Sequence, residues 1–325
     1  MLVIKGVSVD PHFNLASEQY LMDNFDEDIF YLWQNDRSVI IGKNQNTLSE
    51  IDPVFVAENG IKVARRLTGG GAVFHDLGNL NYSVIEKATD GAFGNYALFS
   101  ESVIDYLRSL GLDASLSGRN DILACGKKIS GNAQTLRNGR LLHHGTLLYS
   151  ADLSRLAGAL RPRPEKYQSR GIKSVGSRVA NVKDLLKTDA DVDAFAEGLY
   201  RSILKREGAR EYAFSDADTA AVEKLRLEKF STWEWNYGEA PRYAFKNGKR
   251  TEGGVVEISL SAEGGVIKEI KITGDFFGRK DVSELEKKLT GVRHDPAEIK
   301  KVLAAAPASD YIADASVEEL SELFF

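Results

Sequence analysis

The sequence predicts an α/β (α+β) protein with a large first domain and a small α+β domain at the C-terminal end. Its 325 residues exceed the length of an ordinary single domain, which is on the order of 150 residues. Apolar runs of strand character alternate with segments of helical period through the larger part of the chain. After about Ala244 this alternation gives way to one hairpin followed by helices. We therefore expect domains over residues 1–245 and 246–325.

The elements of the first part follow from apolar spacing and from the residues that end each segment. Polar residues 34–37 separate two apolar runs, which predicts a hairpin between those runs. Gly111 ends a helix whose apolar residues recur at helical spacing. The predicted elements are a helix over 14–24, strands over 29–33, 38–42, 61–66 and 80–85, a helix over 99–110 and a strand over 146–149.

The second part of the chain contains a break and then a change of pattern. The Arg-Pro-Arg-Pro run at 161–164 ends a helix predicted over 152–160. Residues 166–181 carry basic side chains among glycines and serines without a period, and we interpret them as a long functional loop. The remaining predicted elements are helices over 191–207 and 215–230, a hairpin of strands 255–260 and 266–273, and helices over 281–289, 295–305 and 316–323.

Composition excludes several functional classes. The 42 basic and 47 acidic side chains give a net charge of −5, so no global basic field attracts a nucleic acid. One cysteine excludes a disulfide framework and a cysteine-rich zinc site. The N-terminal residues lack a signal-peptide layout, and no apolar run reaches membrane-spanning length. We therefore expect a cytoplasmic protein that binds neither nucleic acid nor membrane.

Three consecutive glycines, Gly69–Gly71, follow the strand predicted over 61–66. Glycine backbones approach a ligand closely and take up positive φ, and concavities of N–H groups bind anions. Arg65 and Arg66 are neighbours on a strand and point in opposite directions, so at most one of them enters a pocket over this loop. The alternative interpretation is a glycine-rich turn at a tight strand crossing. The spacing lacks the third glycine of the dinucleotide-binding fingerprint.

A second glycine-containing segment covers residues 118–131 and includes Lys127 and Lys128. A lysine held between glycines at a pocket supplies a compact positive charge for a carboxylate or a phosphate. Asn120 and Asp121 suit a divalent cation, since magnesium–nucleotide sites use one or two carboxylates. The alternative is a hairpin with solvated lysines. The glycine spacing is not that of a P-loop.

His143 and His144 are adjacent, and Cys125 is the single cysteine. Neighbouring residues on a strand face opposite sides, so we expect packed or hydrogen-bonded histidines rather than a zinc site. Cys125 ends the apolar run 122–125, and we expect it in the core. A nucleophilic cysteine would need a nearby base and a lowered pKa.

These segments, taken together and in this order, resemble the lipoate–protein ligase family. Each motif alone is weak, whereas seven motifs in register along nearly the whole chain are specific. The matching stretches are residues 14–18, 65–79, 118–121, 128–133, 144–148, 171–181 and 231–238.

The resemblance implies a fold, a reaction and its cofactors. Members have a large catalytic α/β domain with a mixed sheet, like that of biotin ligases, and a small C-terminal α+β accessory domain. They activate lipoate or octanoate with ATP and Mg²⁺ to form the acyl-adenylate, and then transfer the acyl group to one lysine of a lipoyl-domain acceptor protein. The implied acceptors are the glycine cleavage H protein and the E2 subunits of 2-oxoacid dehydrogenases.

The resemblance also implies site residues. Lys128 is the family's functional lysine and would contact both ATP and lipoate, while Asp121 would bind Mg²⁺. The further ATP contacts implied are Arg66, Gly71, Ala72, Val73 and Phe74. The lipoyl chain would lie against Gly70, Gly71 and His75, and the adenylate would lie under a loop containing Gly171, Ser174, Val175 and Arg178.

Two alternatives use the same fold. An acyltransferase that moves octanoyl or lipoyl groups between carrier proteins uses a cysteine thiolate, for which Cys125 is the only candidate. Such transferases usually lack the small C-terminal domain. A non-catalytic lipoyl-adenylate-binding module would keep the fold but lose Lys128 or the three glycines. Because the sequence keeps these features, we expect a ligase.

Overall fold

A computed structural model describes residues 1–118, 120–153, 160, 167–169, 179–240, 242–251, 254–274, 276, 280–312 and 315–325. The larger part of the helix predicted over 152–160 lies outside these residues. So do the predicted adenylate contacts Gly171, Ser174, Val175 and Arg178. The chain folds into two compact units, which comprise residues 1–43, 62–156 and 174–232, and residues 44–61, 157–173 and 233–325.

The predicted combination of an α/β part with a mixed sheet and a C-terminal α+β part is confirmed, whereas the boundary after residue 245 stays a prediction. The described strands are β1 (Leu2–Lys5), β2 (Ile29–Gln34), β3 (Ser38–Ile41), β4 (Lys62–Arg65), β5 (Val73–His75), β6 (Asn79–Lys87), β7 (Ala114–Ser117), β8 (Asp121–Ala124), β9 (Lys127–Arg137), β10 (Arg140–Leu148), β11 (Tyr167–Ser169), β12 (Arg210–Glu211), β13 (Tyr243–Thr251), β14 (Gly254–Glu263) and β15 (Val266–Gly274). The described helices are α1 (Pro11–Asn24), α2 (Pro53–Glu58), α3 (Tyr96–Ser109), α4 (Val182–Leu186), α5 (Val192–Leu204), α6 (Asp216–Leu225), α7 (Val282–Leu289), α8 (Pro296–Ala305), α9 (Ala308–Tyr311) and α10 (Val317–Glu322).

An eight-stranded sheet in the order β12-β1-β2-β6-β10-β9-β8-β7 forms the centre of the first unit. Strand β1 pairs in parallel with β2 and β12, and the other neighbours are antiparallel. Alternate residues of β6 face opposite sides: Tyr82 packs into the core formed with α3 and α5, and Ser83 bonds to Glu18 of α1. Both faces of the sheet are therefore covered by helices, and a site on either face can exclude water.

The predicted hairpin between strands 29–33 and 38–42 is wrong. Both runs form strands, but β2 pairs with β1 and β6 in the large sheet, while β3 joins a separate three-stranded sheet in the order β4-β3-β5. The reason is that β1 and β6 already occupy both edges of β2, so that β3 cannot pair with it.

The prediction that Cys125 lies in the core is also wrong. Cys125 is exposed and forms, with Gly126, the two-residue turn between β8 and β9. Both residues have positive φ, at 50° and 73°, which is the backbone that a tight turn of this kind requires. The apolar run therefore ends its buried part at Ala124.

The second unit contains a four-stranded sheet in the order β11-β13-β14-β15. Inward residues of β14, such as Ile258, pack with apolar residues of α7 and α8, such as Leu285 and Ile299. His294 is buried; the Tyr243 hydroxyl bonds to its Nδ1 at 2.8 Å, and its Nε2 bonds to the Phe324 carbonyl at 2.7 Å. These bonds fasten the C-terminal residues to the sheet. No helix among the described residues is long and apolar enough to span a membrane.

Asp218 is a heavily hydrogen-bonded carboxylate at the start of α6. It accepts hydrogen bonds from the Tyr20 hydroxyl at 2.6 Å, the Tyr212 hydroxyl at 2.7 Å and the Ser215 amide at 2.8 Å. Burial alone raises the pKa of Asp218, but hydrogen bonds from Tyr20, Ser215 and Tyr212 outweigh it and lower the pKa from 3.8 to about 2. A depressed pKa means that the ionised carboxylate stabilises the folded state above pH 3.8, and that this contribution is lost as the pH falls towards 2.

We predict that Asp218→Asn lowers the free energy of unfolding at pH 7 by about 1–3 kcal/mol, because charge-assisted hydrogen bonds are lost. The difference between wild type and variant should shrink at pH 3, where the unfolded-state carboxyl is protonated and wild type has itself lost part of this contribution. Urea denaturation at both pH values measures the effect. Asp216→Asn, an exposed acid in the same helical turn, is the matched control and should change stability by less than about 1 kcal/mol. Equal losses at both pH values would contradict the assigned pKa.

Candidate active site

Strand β10 brings the glycine-rich loop and the Lys128 hairpin to one face of the large sheet. His144 and Thr146 are two residues apart on this strand and so share a face. The His144 Nε2 atom lies 2.7 Å from the hydroxyl of Thr68, which precedes the three glycines. The Thr146 hydroxyl accepts a hydrogen bond of 3.2 Å from the amide of Gly131, three residues after Lys128. This face is the one that α1 covers.

Lys128 is the lysine that the family resemblance assigns to the site, and it lies on this face. Its Nζ atom lies 2.9 Å from Oδ1 of Asp121, and both side chains are partly exposed, at 25% and 31%. A Cβ atom on Gly131 would lie 3.4 Å from the Lys128 amine, in van der Waals contact with it. The structure thus brings the predicted functional lysine and the predicted magnesium ligand into direct contact.

The pairing of β8 with β9 explains why one lysine, and not its neighbour, takes this position. Ile122 pairs with Ser130, but Leu123 pairs with Lys128, so Ile129 is an extra residue that forms a bulge. Lys128 consequently lies diagonally across from Asp121. Lys127 sits next to the turn and is exposed.

The described end of the predicted adenylate segment runs beside this lysine. The Ala180 amide donates a hydrogen bond of 2.9 Å to the Lys128 carbonyl, and Val179 forms a parallel bridge with Lys128. Residues 179 and 180 belong to the predicted loop over 166–181. This end of the loop therefore lies alongside Lys128.

Arg66 determines the shape of the glycine-rich loop. Its guanidinium donates to the carbonyls of Gly69 at 2.7 Å and Gly71 at 2.9 Å, and to the hydroxyl of Thr68 at 3.0 Å. Gly70 between them has φ of 98°, and a Cβ there would lie 2.9 Å from the guanidinium. A side chain at this position would therefore be disfavoured both by the positive φ and by its close approach to the guanidinium. The Gly69 and Gly71 carbonyls are thereby drawn towards Arg66.

Both arginines are buried, as their exposed fractions of 0% for Arg65 and 6% for Arg66 show. Arg65 donates to the carbonyls of Gly42 and Lys43, each at 3.0 Å, whereas Arg66 contacts the glycines. Burial lowers the pKa of Arg66 to about 10, even though the charge of Glu18 opposes this change. Arg66 therefore remains a cation at neutral pH. Its predicted direct contact with ATP stays a prediction.

A continuous chain of hydrogen bonds links Arg66 to the carboxylate of Glu18, a residue of α1. Arg66 donates to Thr68, the Thr68 hydroxyl meets His144 Nε2, and His144 Nδ1 lies 2.8 Å from Oε1 of Glu18. The Ser83 hydroxyl donates to the same Glu18 oxygen at 2.6 Å. Glu18 is fully buried, and its Oε2 atom has no hydrogen-bond partner among the described residues.

The sequence alone does not identify Glu18 as part of the site, although it belongs to the motif 14–18. The available signal is an acidic residue on a helix that also carries Leu15, Leu21 and Met22, all of them buried. An acidic residue among buried apolar residues means either that the buried face of the helix is wrongly assigned or that the charge is buried with a partner. Its partners lie far away in sequence and are visible only in the fold.

His75 is a second buried histidine, and one of its ring nitrogens has no hydrogen-bond partner among the described residues. Its Nδ1 receives a hydrogen bond of 3.0 Å from the Asn35 amide, while its Nε2 has no partner among the described residues. Burial, followed by the charges of Arg66 and His144, lowers the pKa of His75 to about 3. The ring is thus neutral at pH 7 with its proton on Nε2. That N–H can donate to a ligand, which fits the predicted place of His75 beside the lipoyl chain.

The adjacent histidines behave as the strand alternation predicts. His143 faces the opposite side from His144, where it stacks on Phe99 at 5.5 Å and bonds to Gln134 at 3.1 Å. Burial, with a smaller contribution from His144, lowers the pKa of His143 to about 3. His143 is a core residue and His144 a hydrogen-bonded one.

The other predicted contacts lie at the last glycine of the loop and along the segment that follows it into β5. Gly71 and Val73 are partly exposed, whereas Ala72 and Phe74 are buried. Val73 and His75 share one face of β5, because they are two residues apart. Contacts from these residues to ATP stay predictions.

Two family models together match most of the chain. A model of the lipoyl protein ligase A/B catalytic domain matches residues 10–204. A model of the bacterial lipoate protein ligase C-terminus matches residues 240–324. The chain thus contains the two parts that the sequence motifs predict.

Individual relatives agree with these models. Lipoate-protein ligase LplJ of Bacillus subtilis is 40% identical, with 100% of both chains covered. A structure reported for a bi-partite lipoate protein ligase and its E2 lipoyl domain from Thermoplasma acidophilum aligns at 31% identity, covering 73% of this chain and 96% of that chain, with a TM-score of 0.62. A lipoate-protein ligase A bound with ATP aligns at 33% identity, covering 74% and 97%, with a TM-score of 0.60. The chain described here belongs to the lipoate–protein ligase family, as its seven motifs predict.

Proposed function

We propose that this chain activates lipoate, or octanoate, with ATP as the acyl-adenylate and transfers the acyl group to a lysine of an acceptor protein. The observation that carries the proposal is the position of the Lys128 amine, 2.9 Å from Asp121 and on the same sheet face as the glycine-rich loop. Pyrophosphate exchange into ATP that depends on lipoate is the direct experimental test.

The reaction requires two anions to meet. A carboxylate oxygen of lipoate attacks the α-phosphorus of ATP, a new P–O bond forms, and the bond to the β-phosphate oxygen breaks to release pyrophosphate. Lys128 offsets the negative charge that accumulates at this centre, and N–H groups of the glycine-rich loop bind phosphate oxygens. In the second step the acceptor amine attacks the acyl carbon, AMP leaves, and the amine loses a proton.

Asp121 fits a magnesium ion that accompanies ATP. Magnesium at nucleotide sites is held by one or two carboxylates together with phosphate oxygens and water. Asp121 offers one carboxylate that is partly exposed at the site, paired with a lysine and not with a second acid. A bound magnesium ion would neutralise phosphate charge there. In its absence Lys128 supplies the counter-charge of Asp121.

The proposal also includes the acceptor proteins and the cellular compartment in which the enzyme acts. The acceptors we propose are the E2 subunits of 2-oxoacid dehydrogenases and the glycine cleavage H protein. A lipoate protein ligase structure reported with its E2 lipoyl domain supports this class of partner. The single cysteine supports action in the cytoplasm, where thiols stay reduced.

A transferase with a cysteine nucleophile is less well supported. Cys125 is exposed at the tip of the β8–β9 turn, and no hydrogen bond joins its thiol to a histidine among the described residues. A thiolate nucleophile needs such a base or another source of a lowered pKa. The match of residues 240–324 to the lipoate ligase C-terminus also favours a ligase.

We predict that Lys128→Ala lowers the rate of adenylate formation by about 100- to 1,000-fold, because one preorganised positive donor is removed from the reacting anions. Lipoate-dependent exchange of labelled pyrophosphate into ATP measures this step. Lys127→Ala removes the same charge from the neighbouring exposed residue and serves as the matched control, with a rate close to wild type. A folded Lys128→Ala variant with near-normal exchange would refute the assigned role.

We predict that Cys125→Ser keeps both half-reactions within about twofold of wild type and changes stability by no more than about 0.5 kcal/mol, because the thiol is exposed. Lipoylation of an acceptor domain, followed by mass spectrometry, measures the activity. The same spectra would reveal an acyl-thioester on the wild-type enzyme. Detection of that thioester, or loss of activity in the folded variant, would favour the transferase.

A further inference from the structure

Asn132 joins the core of the sheet to the segment that carries Asp121. Its side-chain oxygen accepts a hydrogen bond of 2.5 Å from the Tyr82 hydroxyl. Its side-chain nitrogen donates to the Asn120 carbonyl at 3.1 Å and to the Ser130 hydroxyl at 3.2 Å. The carbonyl acceptor requires a nitrogen donor, so this orientation of the amide is determined by its partners.

Asn120 is fastened to residue 132 by further bonds. The Asn132 amide donates to the Asn120 carbonyl at 2.9 Å, and the Asn120 side chain donates to the Asn132 carbonyl at 2.7 Å. Asn120 directly precedes Asp121, whose carboxylate pairs with Lys128 at 2.9 Å. The position of Asp121 therefore depends on how firmly residue 132 is held.

Tyr82 provides that firm attachment. It is fully buried in the central strand β6 and stacks on Phe30 with ring centroids 6.2 Å apart. Space for the contact is reserved on β10, because a Cβ on Gly145 would lie 2.0 Å from the Asn132 side-chain oxygen and 2.7 Å from the Tyr82 ring. Any larger residue at 145 would displace the Asn132 side chain.

We infer that Asn132, held by Tyr82, is a positioning residue for magnesium–ATP binding: it acts through Asn120 to hold Asp121 opposite Lys128. The inference rests on the proposed function and assigns a role to Tyr82, Asn132 and Gly145. The inference concerns magnesium–ATP and not lipoate. Two of the residues predicted beside the lipoyl chain, Gly71 and His75, accept hydrogen bonds from Arg66 and Asn35, which lie outside the chain of bonds through Asn132.

The test compares three single variants and the double variant of Tyr82→Phe with Asn132→Ala. Tyr82→Phe removes only the hydroxyl, and Asn132→Ala removes the amide that this hydroxyl orients. Tyr106→Phe is the matched control, since the Tyr106 hydroxyl is also buried but donates to the Phe195 carbonyl, away from the site. Calorimetric titration with magnesium–ATP in the absence of lipoate, and with lipoate in the absence of ATP, measures the two affinities without turnover.

We expect Tyr82→Phe and Asn132→Ala to weaken magnesium–ATP binding by about five- to tenfold, the size of one lost hydrogen bond, with lipoate binding within about twofold of wild type. The KM values for ATP and for lipoate should separate in the same way. Because both residues act through one chain of bonds, the double variant should bind magnesium–ATP no more weakly than Asn132→Ala alone. Tyr106→Phe should leave both affinities unchanged.

Three results would overturn the inference: equal weakening of both substrates, additive effects in the double variant, or Tyr82→Phe behaving like Tyr106→Phe at equal thermal stability. The first would indicate a purely structural role. These outcomes differ from failure of the proposed function, in which the wild-type enzyme itself shows no lipoate-dependent pyrophosphate exchange.

Discussion

The buried carboxylate of Glu18 is the constraint on which the arrangement of the site depends. A charge without water must be met by donors, and Ser83 and His144 provide them from two neighbouring strands, β6 and β10. Once His144 is oriented towards Glu18, its other nitrogen fixes Thr68, and Thr68 helps to fix Arg66. The glycine-rich loop therefore takes its shape from a carboxylate that reaches it only through other side chains.

This chain of bonds joins two opposite charges that are both removed from water. A buried ion that loses its partner costs about 3–5 kcal/mol, whereas a completely bonded network contributes specificity more than net stability. The chain from Glu18 to Arg66 is completely bonded except at Glu18 Oε2, and His75 Nε2 is likewise unused among the described residues. Buried polar atoms without a partner require an explanation, and a bound ligand that contacts these two atoms would supply one.

Elements with a local signal were predictable from the sequence, and features that depend on distant partners were not. The helix predicted over 14–24, which forms α1, and the hairpin of β14 and β15 follow from the apolar pattern and the turn residues. The assignment of Lys128 as the functional lysine comes from the family resemblance, since its glycine neighbours alone are also compatible with a solvated lysine. The pairing of β3 was missed because the edges of β2 are taken by β1 and β6. Glu18 was missed because its partners lie 65 and 126 residues away. Cys125 shows the opposite error, in which an apolar run was extended by one residue into a turn.

The approach of the glycine-rich loop to the Lys128 hairpin is finally a matter of strand register. His144 contacts the glycine-rich loop through Thr68, and Thr146 accepts a hydrogen bond from the Gly131 amide. Both side chains point to the same face because every second residue of a strand faces the same side. A shift of one residue in β10 would send both to the core face and bring His143 and Gly145 to the site instead. Gly145 could then neither bond nor leave its space for Asn132. The register of β10 therefore determines which of the two adjacent histidines faces the candidate site and which one packs in the core.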